Sequence, residues 1–121
     1  MKPEQLFEIA ATPTGRFARQ KRCPRISVVI CSHNAAATIG RTLDHVRRLD
    51  YPEYEVLVVD NGSTDETVSV ARTHGVRPIV APGRAREVAA AEASGEIVAY
   101  LEGDASPEPG WLTELAAART A

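Results

Sequence analysis

Apolar residues along this chain form short runs that alternate between two spacings. Residues 26–31 and 55–60 are nearly continuous apolar runs rich in Val and Ile, which is typical of buried parallel strands. Between them, Ile39, Leu43 and Val46 recur every three to four positions, which predicts an amphipathic helix. These runs together predict a strand–helix–strand unit.

The alternation of strands and helices continues toward the end of the sequence. Residues 76–80 predict a third strand, and Pro78 within it favours an edge position. Residues 84–94 predict a helix, residues 96–101 predict a fourth strand, and Trp111 lies in the first turn of a last helix. Strands joined by helices predict an α/β fold, a Rossmann-like parallel sheet of four βα units with right-handed crossovers.

The predicted sheet is incomplete at its fourth strand. This strand would lie at the middle of a doubly wound sheet, yet no later strand follows it in this sequence. We therefore expect an open sheet edge beside residues 96–101. That edge could pair with a second copy in a homodimer or with a missing remainder of the chain.

The first part of the chain differs from the rest. Residues 1–24 are polar and basic, and we interpret them as a basic N-terminal arm that precedes a domain over residues 25–121. The basic cluster is typical of a solvated segment, and contact with anionic lipid or with another part of a larger protein is the alternative. Within the arm, one short helix is predicted by Leu6, Phe7, Ile9 and Ala10.

Composition limits the class of protein. The chain has 121 residues, a net charge of -2 and 44% hydrophobic residues, which fits one small globular domain with no overall attraction to nucleic acid. Its two cysteines, Cys23 and Cys31, are too few for a disulfide scaffold and favour a reduced, cytoplasmic setting. No stretch approaches the roughly 20 apolar residues of a membrane span, and the first residues of this sequence lack the apolar core of a signal peptide. Association with a membrane is kept as an alternative for a full-length protein.

Three of the predicted strands end in polar segments, at residues 31–34, 60–63 and 102–104. Parallel strands place their carboxyl ends on one rim of the sheet, and open α/β sheets bind ligands at that rim. We therefore expect the three segments to form one composite binding site.

Glu102 and Asp104 are the candidate metal ligands. Hydrophobic residues run directly into these two carboxylates, which are separated only by Gly103. Oxygen ligands this close together suit a hard cation such as Mg²⁺ or Mn²⁺, which usually accompanies a phosphate. The alternative is a solvated acidic turn in which Gly103 only allows the backbone to turn.

Asp60 and Asn61 are the candidate nucleotide-binding residues. A carboxylate or an amide at this rim can pair with a base edge or a ribose hydroxyl. The alternative is that Asn61 and Gly62 make the turn while Ser63, with Glu66, forms a capping box for the next helix. We favour a functional role for Asp60 because it is an acid that ends an apolar strand.

Other polar residues near the rim carry weaker signals. His33 could stack on a base or approach a phosphate, and it could equally be an exposed turn residue. Arg84 and Arg86 could meet a diphosphate with help from a helix dipole, or form a solvated helix face. Cys31 has the character of a small buried residue. The sequence contains no P-loop, no G-x-G-x-x-G, no zinc-ligand spacing and no Ser/His/Asp constellation.

Taken together, these segments resemble the family 2 glycosyltransferases, which have the GT-A nucleotide-diphospho-sugar transferase fold. The similarity runs from about Arg25 to Leu115 in the order and spacing of the family. The stretches that carry it are residues 26–34, 58–67 and 93–104, with Pro107, Pro109, Trp111 and Leu112. The resemblance implies a UDP-, GDP- or dTDP-sugar donor, a glycan, lipid or small-molecule acceptor, and inverting transfer that depends on Mg²⁺ or Mn²⁺.

The resemblance also assigns roles to residues. It places the base and ribose against Cys31, His33, Asp60 and Asn61. It places the diphosphate near Arg86, and it maps the metal-binding D-x-D onto residues 102–104, with Asp104 favoured over Glu102 as the direct ligand. The catalytic base and the acceptor-binding elements of the family fall beyond Ala121, so the catalytic residue is unknown.

The chain departs from the family pattern at several of these positions. Glu102 replaces the first acid of the D-x-D, and Gly103 stands where an acid is usual. His33 replaces a common aromatic residue. Glu87 follows Arg86 where the family often has Asn, and we expect its carboxylate to repel a diphosphate.

The sequence leaves two main hypotheses for function. The leading hypothesis is the donor-binding half of an inverting, metal-dependent glycosyltransferase. The alternative is a non-catalytic α/β module that binds a partner or assembles through its open sheet edge. A nucleotidyltransferase has less support because no glycine-rich, lysine-bearing phosphate loop is present.

Overall fold

The structure, a computed structural model, describes residues 7–9 and 23–120 of the chain. The strands are β1 (Phe7–Ile9), β2 (Ile26–Ser32), β3 (Tyr54–Asp60), β4 (Ile79–Val80) and β5 (Ile97–Glu102). The helices are α1 (Ile39–Arg47), α2 (Thr67–Thr73), α3 (Ala85–Glu92) and α4 (Trp111–Thr120). The five strands form one sheet in the order β1-β5-β2-β3-β4.

Strands β5, β2, β3 and β4 are parallel, which confirms the predicted α/β architecture. Strand β2 pairs with β3 as far as Ser32 opposite Asp60, and with β5 as far as Cys31 opposite Glu102. The carboxyl ends of these three strands therefore lie side by side. Strand β4 takes the edge position that Pro78 favoured.

Strand β1 corrects two expectations, one about the N-terminal segment and one about the sheet edge. Phe7–Ile9 is a strand, so the short helix predicted there is wrong at these residues. It pairs antiparallel with β5, with Phe7 opposite Ala99 and Ile9 opposite Ile97. The predicted open edge is therefore wrong for the first half of β5, whose backbone groups bond to β1. A run this short has too few positions to separate helical from strand periodicity. Most of the predicted arm lies outside the described residues.

Helices cover both faces of the sheet. Helices α1, α2 and α4 pack on one face, where Trp111 is 3% exposed and anchors α4 as predicted. Helix α3 packs on the other face through Ala89, against Val29 and Val98. Because each buried Val, Ile or Leu stabilises the fold by about 1.5–3 kcal/mol, these two clusters fix the helices that surround the strand ends. In the part of the chain that the structure describes, every helix is too short or too polar to cross a bilayer.

A set of polar groups lies at the amino end of the sheet. We call Arg25, Ser27, Glu55, Ser94 and Gly95 the amino-end cluster. One Glu55 oxygen accepts hydrogen bonds from Ser27 Oγ at 2.5 Å and from Ser94 N at 2.7 Å, and the other lies 3.6 Å from Arg25 Nη2. Gly95 N donates to Ser27 Oγ at 2.8 Å. The cluster joins β2, β3 and the turn before β5.

Candidate functional site

A cavity of about 690 Å³ opens at the carboxyl ends of β2 and β5, beside the residues that follow β3. The residues before α1 and the first turn of α3 complete its wall. Ligand cavities in proteins typically measure roughly 300–1,000 Å³, so the space suits a small organic ligand.

The structure brings most of the predicted site residues together. Those that line the cavity are Cys31, His33, Asn61, Arg86, Glu102 and Asp104. Asp60 and Arg84, which were also candidates, do not line it. The rim predicted from the three strand ends is therefore one continuous surface, and the contacts of these residues with a ligand stay predictions.

Asp60 is buried next to the cavity and satisfied by the protein itself. Its side chain is 0% exposed. Its Oδ1 accepts hydrogen bonds from Ser32 Oγ at 2.8 Å and Ser63 Oγ at 2.7 Å, and its Oδ2 accepts one from Ser63 N at 2.7 Å. Burial alone would raise the pKa of Asp60, but these hydrogen bonds outweigh burial and hold the pKa below its ordinary value. As an anion, Asp60 joins the ends of β2 and β3.

The start of α2 corrects the predicted capping box. Helix α2 begins at Thr67, and Glu66 at its cap makes no side-chain cap bond. Ser63 bonds to Asp60 instead of capping the helix. Asp65 serves the first turn, since its Oδ1 accepts hydrogen bonds from Thr67 N at 3.0 Å and from Thr67 Oγ1. Ser63 N and Ser63 Oγ both donate to the Asp60 carboxylate. These hydrogen bonds take the place of the cap that the local sequence pattern predicted.

Asn34 joins the loop after β2 to the loop after β3, a role that was not predicted from the sequence. Its φ of 52° lies in the left-handed region, which Asn tolerates better than most residues. Asn34 N donates to Ser63 Oγ at 2.8 Å, and Asn34 Oδ1 accepts from Thr64 N at 2.8 Å. Ala36 N also donates to Asp65 Oδ2 at 3.2 Å. The two loops are therefore held as one unit.

Asn61 connects that unit to the loop after β4. Asn61 N donates to Ser32 O at 2.9 Å, and Asn61 O lies 3.1 Å from His33 Nδ1. Its side-chain Oδ1 accepts a hydrogen bond from Gly83 N at 2.5 Å. Gly83 has a φ of 75°, so a side chain there would be strained. The predicted pair His33 and Asn61 is thus adjacent on the cavity wall.

Arg86 is the cationic group on the cavity wall. Its guanidinium carbon lies 4.3 Å from the ring centroid of Tyr100, a cation–π contact. Tyr100 also lines the cavity and was missed from sequence. The available signal was the alternation of β5, which puts Tyr100 on the same face as Glu102, two positions on.

Glu87 forms an ion pair with Arg84. Its Oε1 lies 3.5 Å from Arg84 Nε in an exposed pair. Neither residue lines the cavity. Arg86 is therefore the arginine of this segment on the cavity wall, and the expected repulsion of a diphosphate by Glu87 stays a prediction.

Glu102 and Asp104 have exposed side chains on the cavity wall, with the buried Gly103 between them. A Cβ at Gly103 would lie 2.8 Å from Ala35 Cβ, closer than real Cβ atoms approach. This contact leaves no room for a side chain at residue 103 unless Ala35 moves. We call residues 102–104 the acidic turn.

The donor set of the acidic turn fits a hard divalent cation. Among residues 7–9 and 23–120, no group of three or more His, Cys, Asp or Glu side chains is arranged to hold a metal ion by itself. Two neighbouring carboxylates are nevertheless the ligand set of Mg²⁺-type sites in which substrate phosphates and water complete the coordination. Glu102 and Asp104 match that set in chemistry and exposure.

Cys31 contributes a neutral surface to the cavity. Burial raises the pKa of its thiol, Arg86 opposes that change, and Glu102 adds to it. The thiol is therefore protonated at neutral pH. Cys31 is half-buried on the cavity wall, not fully buried as the sequence predicted.

Comparisons with known proteins agree with this geometry. A family model described as glycosyl transferase family 2 matches residues 27–119. Glycosyltransferase AglE of Haloferax volcanii is 38% identical over 101 residues, which cover 74% of this chain and 33% of AglE. The chain thus spans about a third of the length of that relative.

Solved structures show the same likeness. Glucosyl-3-phosphoglycerate synthase from Mycobacterium tuberculosis, in complex with Mn²⁺ and UDP-glucose, matches with a TM-score of 0.70 at 27% identity, over 94% of this chain and 45% of that chain. Mannosyltransferase PcManGT from Pyrobaculum calidifontis, in complex with GDP-Man and Mn²⁺, matches with a TM-score of 0.67 at 31% identity, over 98% of this chain and 35% of that chain. The parallel sheet and its flanking helices are shared features.

Proposed function

Because the chain belongs to glycosyl transferase family 2, we propose that it forms the donor-binding part of an enzyme that transfers sugar from a nucleotide-diphosphate sugar. The observation that carries the proposal is the cavity, which brings the cation Arg86 together with the acids Glu102 and Asp104. A diphosphate bridged by a divalent cation needs both signs of charge within one small space.

The proposed donor lies across the cavity in a defined direction. The base and ribose lie against Cys31, His33 and Asn61, and the diphosphate lies near Arg86. Asp60 holds this surface in place through Ser32 and Ser63, and its predicted direct contact with the nucleotide remains a proposal. The UDP-glucose and GDP-Man complexes of the similar structures support a UDP- or GDP-sugar, with dTDP-sugar as a third candidate.

Glu102 and Asp104 would hold the divalent cation, with Asp104 as the direct ligand. When bound, an Mg²⁺ or Mn²⁺ ion supplies Lewis-acid neutralisation of the charge that builds on the leaving nucleoside diphosphate. Arg86 adds a fixed positive charge to the same leaving group, and its stacking on Tyr100 orients the guanidinium before the donor arrives.

The proposed reaction is inverting transfer. An acceptor hydroxyl attacks the anomeric carbon in line with the departing diphosphate, which inverts the configuration. We assign no catalytic base to any described residue, and the acceptor is a glycan, a lipid or a small molecule. The proposed setting is the cytoplasm. Membrane association is proposed only for a full-length protein.

The alternative of an assembly module has lost part of its premise. It required an open edge beside β5, and the first half of that edge is paired with β1. No other feature of the described residues favours it over donor binding.

Metal-dependent nucleotide binding tests the proposed function. We expect UDP, GDP or dTDP to raise the melting temperature of the protein when Mn²⁺ is present and to have a much smaller effect without it. A nucleotide at ~100 times its Kd contributes about 2.7 kcal/mol, which corresponds to roughly 10 °C for a domain of this size. Asp104→Ala should remove the part of the shift that depends on Mn²⁺.

The matched control is Glu92→Ala, which removes an exposed carboxylate of α3 that does not line the cavity. This variant should keep the full Mn²⁺-dependent shift. If no nucleotide stabilises the wild-type protein under either condition, the proposed function is wrong.

A further inference from the structure

Two threonine hydroxyls hold the backbone of the acidic turn, and of Ala105 directly after it, against the start of α1. Thr38 Oγ1 donates to Gly103 O at 2.8 Å. Thr42 Oγ1 lies 2.8 Å from Ala105 O and 3.0 Å from Gly103 O. Each hydroxyl has one proton to donate, so the two shortest contacts assign Thr38 to Gly103 and Thr42 to Ala105. Both carbonyl groups then accept a hydrogen bond, one from Thr42 of α1 and one from Thr38, which directly precedes α1.

A steric contact fixes the same turn from another side. The Cα of Gly103 packs so closely on Ala35 that an added Cβ would lie 2.8 Å from Ala35 Cβ. Ala35 is itself held, because its N–H donates to Thr67 Oγ1 at 2.8 Å. The position of the turn is therefore determined by α1 and by the loop that precedes α1.

The carboxylates of the turn have no comparable support of their own. Glu102 and Asp104 are exposed, and neither side chain forms an ion pair or hydrogen bond with another described residue. Their directions follow from the backbone to which they are attached. Thr42 is different, since it is 1% exposed and its hydroxyl bonds only to the turn.

We propose that Thr42, assisted by Thr38, is a positioning residue that sets the affinity of the acidic turn for the divalent cation of a nucleotide-diphosphate complex. This inference rests on the proposed donor site. Thr42 does not line the cavity, whereas Thr38 does. The two hydroxyls would act by holding the backbone that carries the two carboxylates. Groups that orient metal ligands in this way typically change metal affinity by about 10–100-fold when they are removed.

The test compares Thr42→Val with Thr42→Ser in the full 121-residue chain. Val keeps the size of the side chain and removes the hydroxyl, and Ser keeps the hydroxyl. With UDP or GDP present, whichever stabilises the wild-type protein, the Kd for Mn²⁺ is measured from the free Mn²⁺ signal in electron paramagnetic resonance. We expect Thr42→Val to weaken Mn²⁺ binding about tenfold and Thr42→Ser to stay within about twofold of wild type.

Two further readouts separate positioning from a general loss of structure. Nucleotide affinity measured without metal should be unchanged in both variants. Hydrogen exchange at the Ala105 amide should accelerate in Thr42→Val, while the amides of Val28 and Ile30 in the core keep their protection.

If Thr42→Val does not fold, Thr38→Val removes the other hydroxyl at a partly buried site, and a loss of about threefold in Mn²⁺ affinity is expected.

The outcomes distinguish this inference from the proposed function. A wild-type protein that responds to Mn²⁺ and nucleotide, with Thr42→Val showing the same Kd for Mn²⁺, overturns the positioning role and leaves the proposed function standing. A wild-type protein with no Mn²⁺ response overturns both. Selective loss in Thr42→Val with recovery in Thr42→Ser supports the inference.

Discussion

Glu55, at the amino end of the sheet, differs from Glu102 and Asp104, at the carboxyl end, in whether the chain itself bonds the carboxylate oxygens. In the amino-end cluster, Glu55 is bonded by Ser27 and Ser94 and faces Arg25, so its oxygens are occupied within the chain. Burial alone would raise the pKa of Glu55, yet these hydrogen bonds hold it below its ordinary value. At the carboxyl end, Glu102 and Asp104 are exposed on the wall of a cavity.

The difference shows that residue type does not separate a structural acid from a binding acid. What separates them is whether the protein itself uses the acceptor oxygens. Asp60 lies at the same end of the sheet as Glu102 and Asp104. It is nevertheless buried, and both of its oxygens accept hydrogen bonds from the chain, as those of a structural acid do. We therefore expect loss of the two classes of acid to affect different measurements.

The largest effect is expected at the amino end, from Gly95→Ala. The added Cβ would lie 2.5 Å from Ser27 N and 2.8 Å from Ile26 C, and these backbone atoms belong to the central strand β2 and cannot move aside. We expect a loss of about 3 kcal/mol in the free energy of unfolding, measured by urea denaturation.

Gly110→Ala is the matched control, because nothing lies within 4 Å of a Cβ at that position. It should leave stability unchanged or raise it by about 0.4–1 kcal/mol. Similar denaturation midpoints for the two variants would show that the amino end is not closely packed.

A smaller effect is expected from Asp60→Asn. The change removes a buried negative charge that accepts hydrogen bonds from Ser32 and Ser63, and bonds to charged groups contribute about 1.5–3 kcal/mol. We expect a loss of about 2 kcal/mol in the free energy of unfolding at pH 7, measured in urea. Asp104→Asn, at an exposed position, should change stability by less than about 0.5 kcal/mol.

The effect of Asp60→Asn on the free energy of unfolding should depend on pH. The folded pKa of Asp60 is lowered, so its contribution to stability is complete above the unfolded value of about 3.9 and is lost as the pH falls through the folded value. The stability difference between wild type and Asp60→Asn should therefore shrink below about pH 4. A difference that is absent at pH 7, or that grows in acid, would contradict the assignment of Asp60 as a buried anion.

Periodicity and the polar strand ends were enough to predict the parallel sheet, the helices and the rim. Residues 26–31 and 96–101 carry strong apolar runs, and Glu102 and Asp104 follow the second of them directly, so strand topology alone brings them to the rim. The edge position of β4 followed from Pro78 in the same way.

The features of the fold and of the site that were not predicted depend on contacts between segments that are distant in sequence. Nothing local in residues 7–9 predicts their pairing with β5, and nothing in the turn after β3 shows that Ser63 bonds to Asp60 rather than capping α2. The roles of Thr42 and Tyr100 likewise depend on what packs against them. Such contacts become visible only when the strands are in register.

Paramagnetic broadening tests the central claim, namely that the acidic turn holds a cation beside a bound nucleotide. Substoichiometric Mn²⁺ is added to the isotope-labelled protein with UDP or GDP, and broadening of the backbone amide signals is recorded. We expect the signals of residues 102–104 and of His33 and Asn61 to broaden, while those of Ser27, Ser94 and Gly95 in the amino-end cluster stay sharp. Broadening centred on the amino-end cluster, or none that depends on the nucleotide, would contradict it.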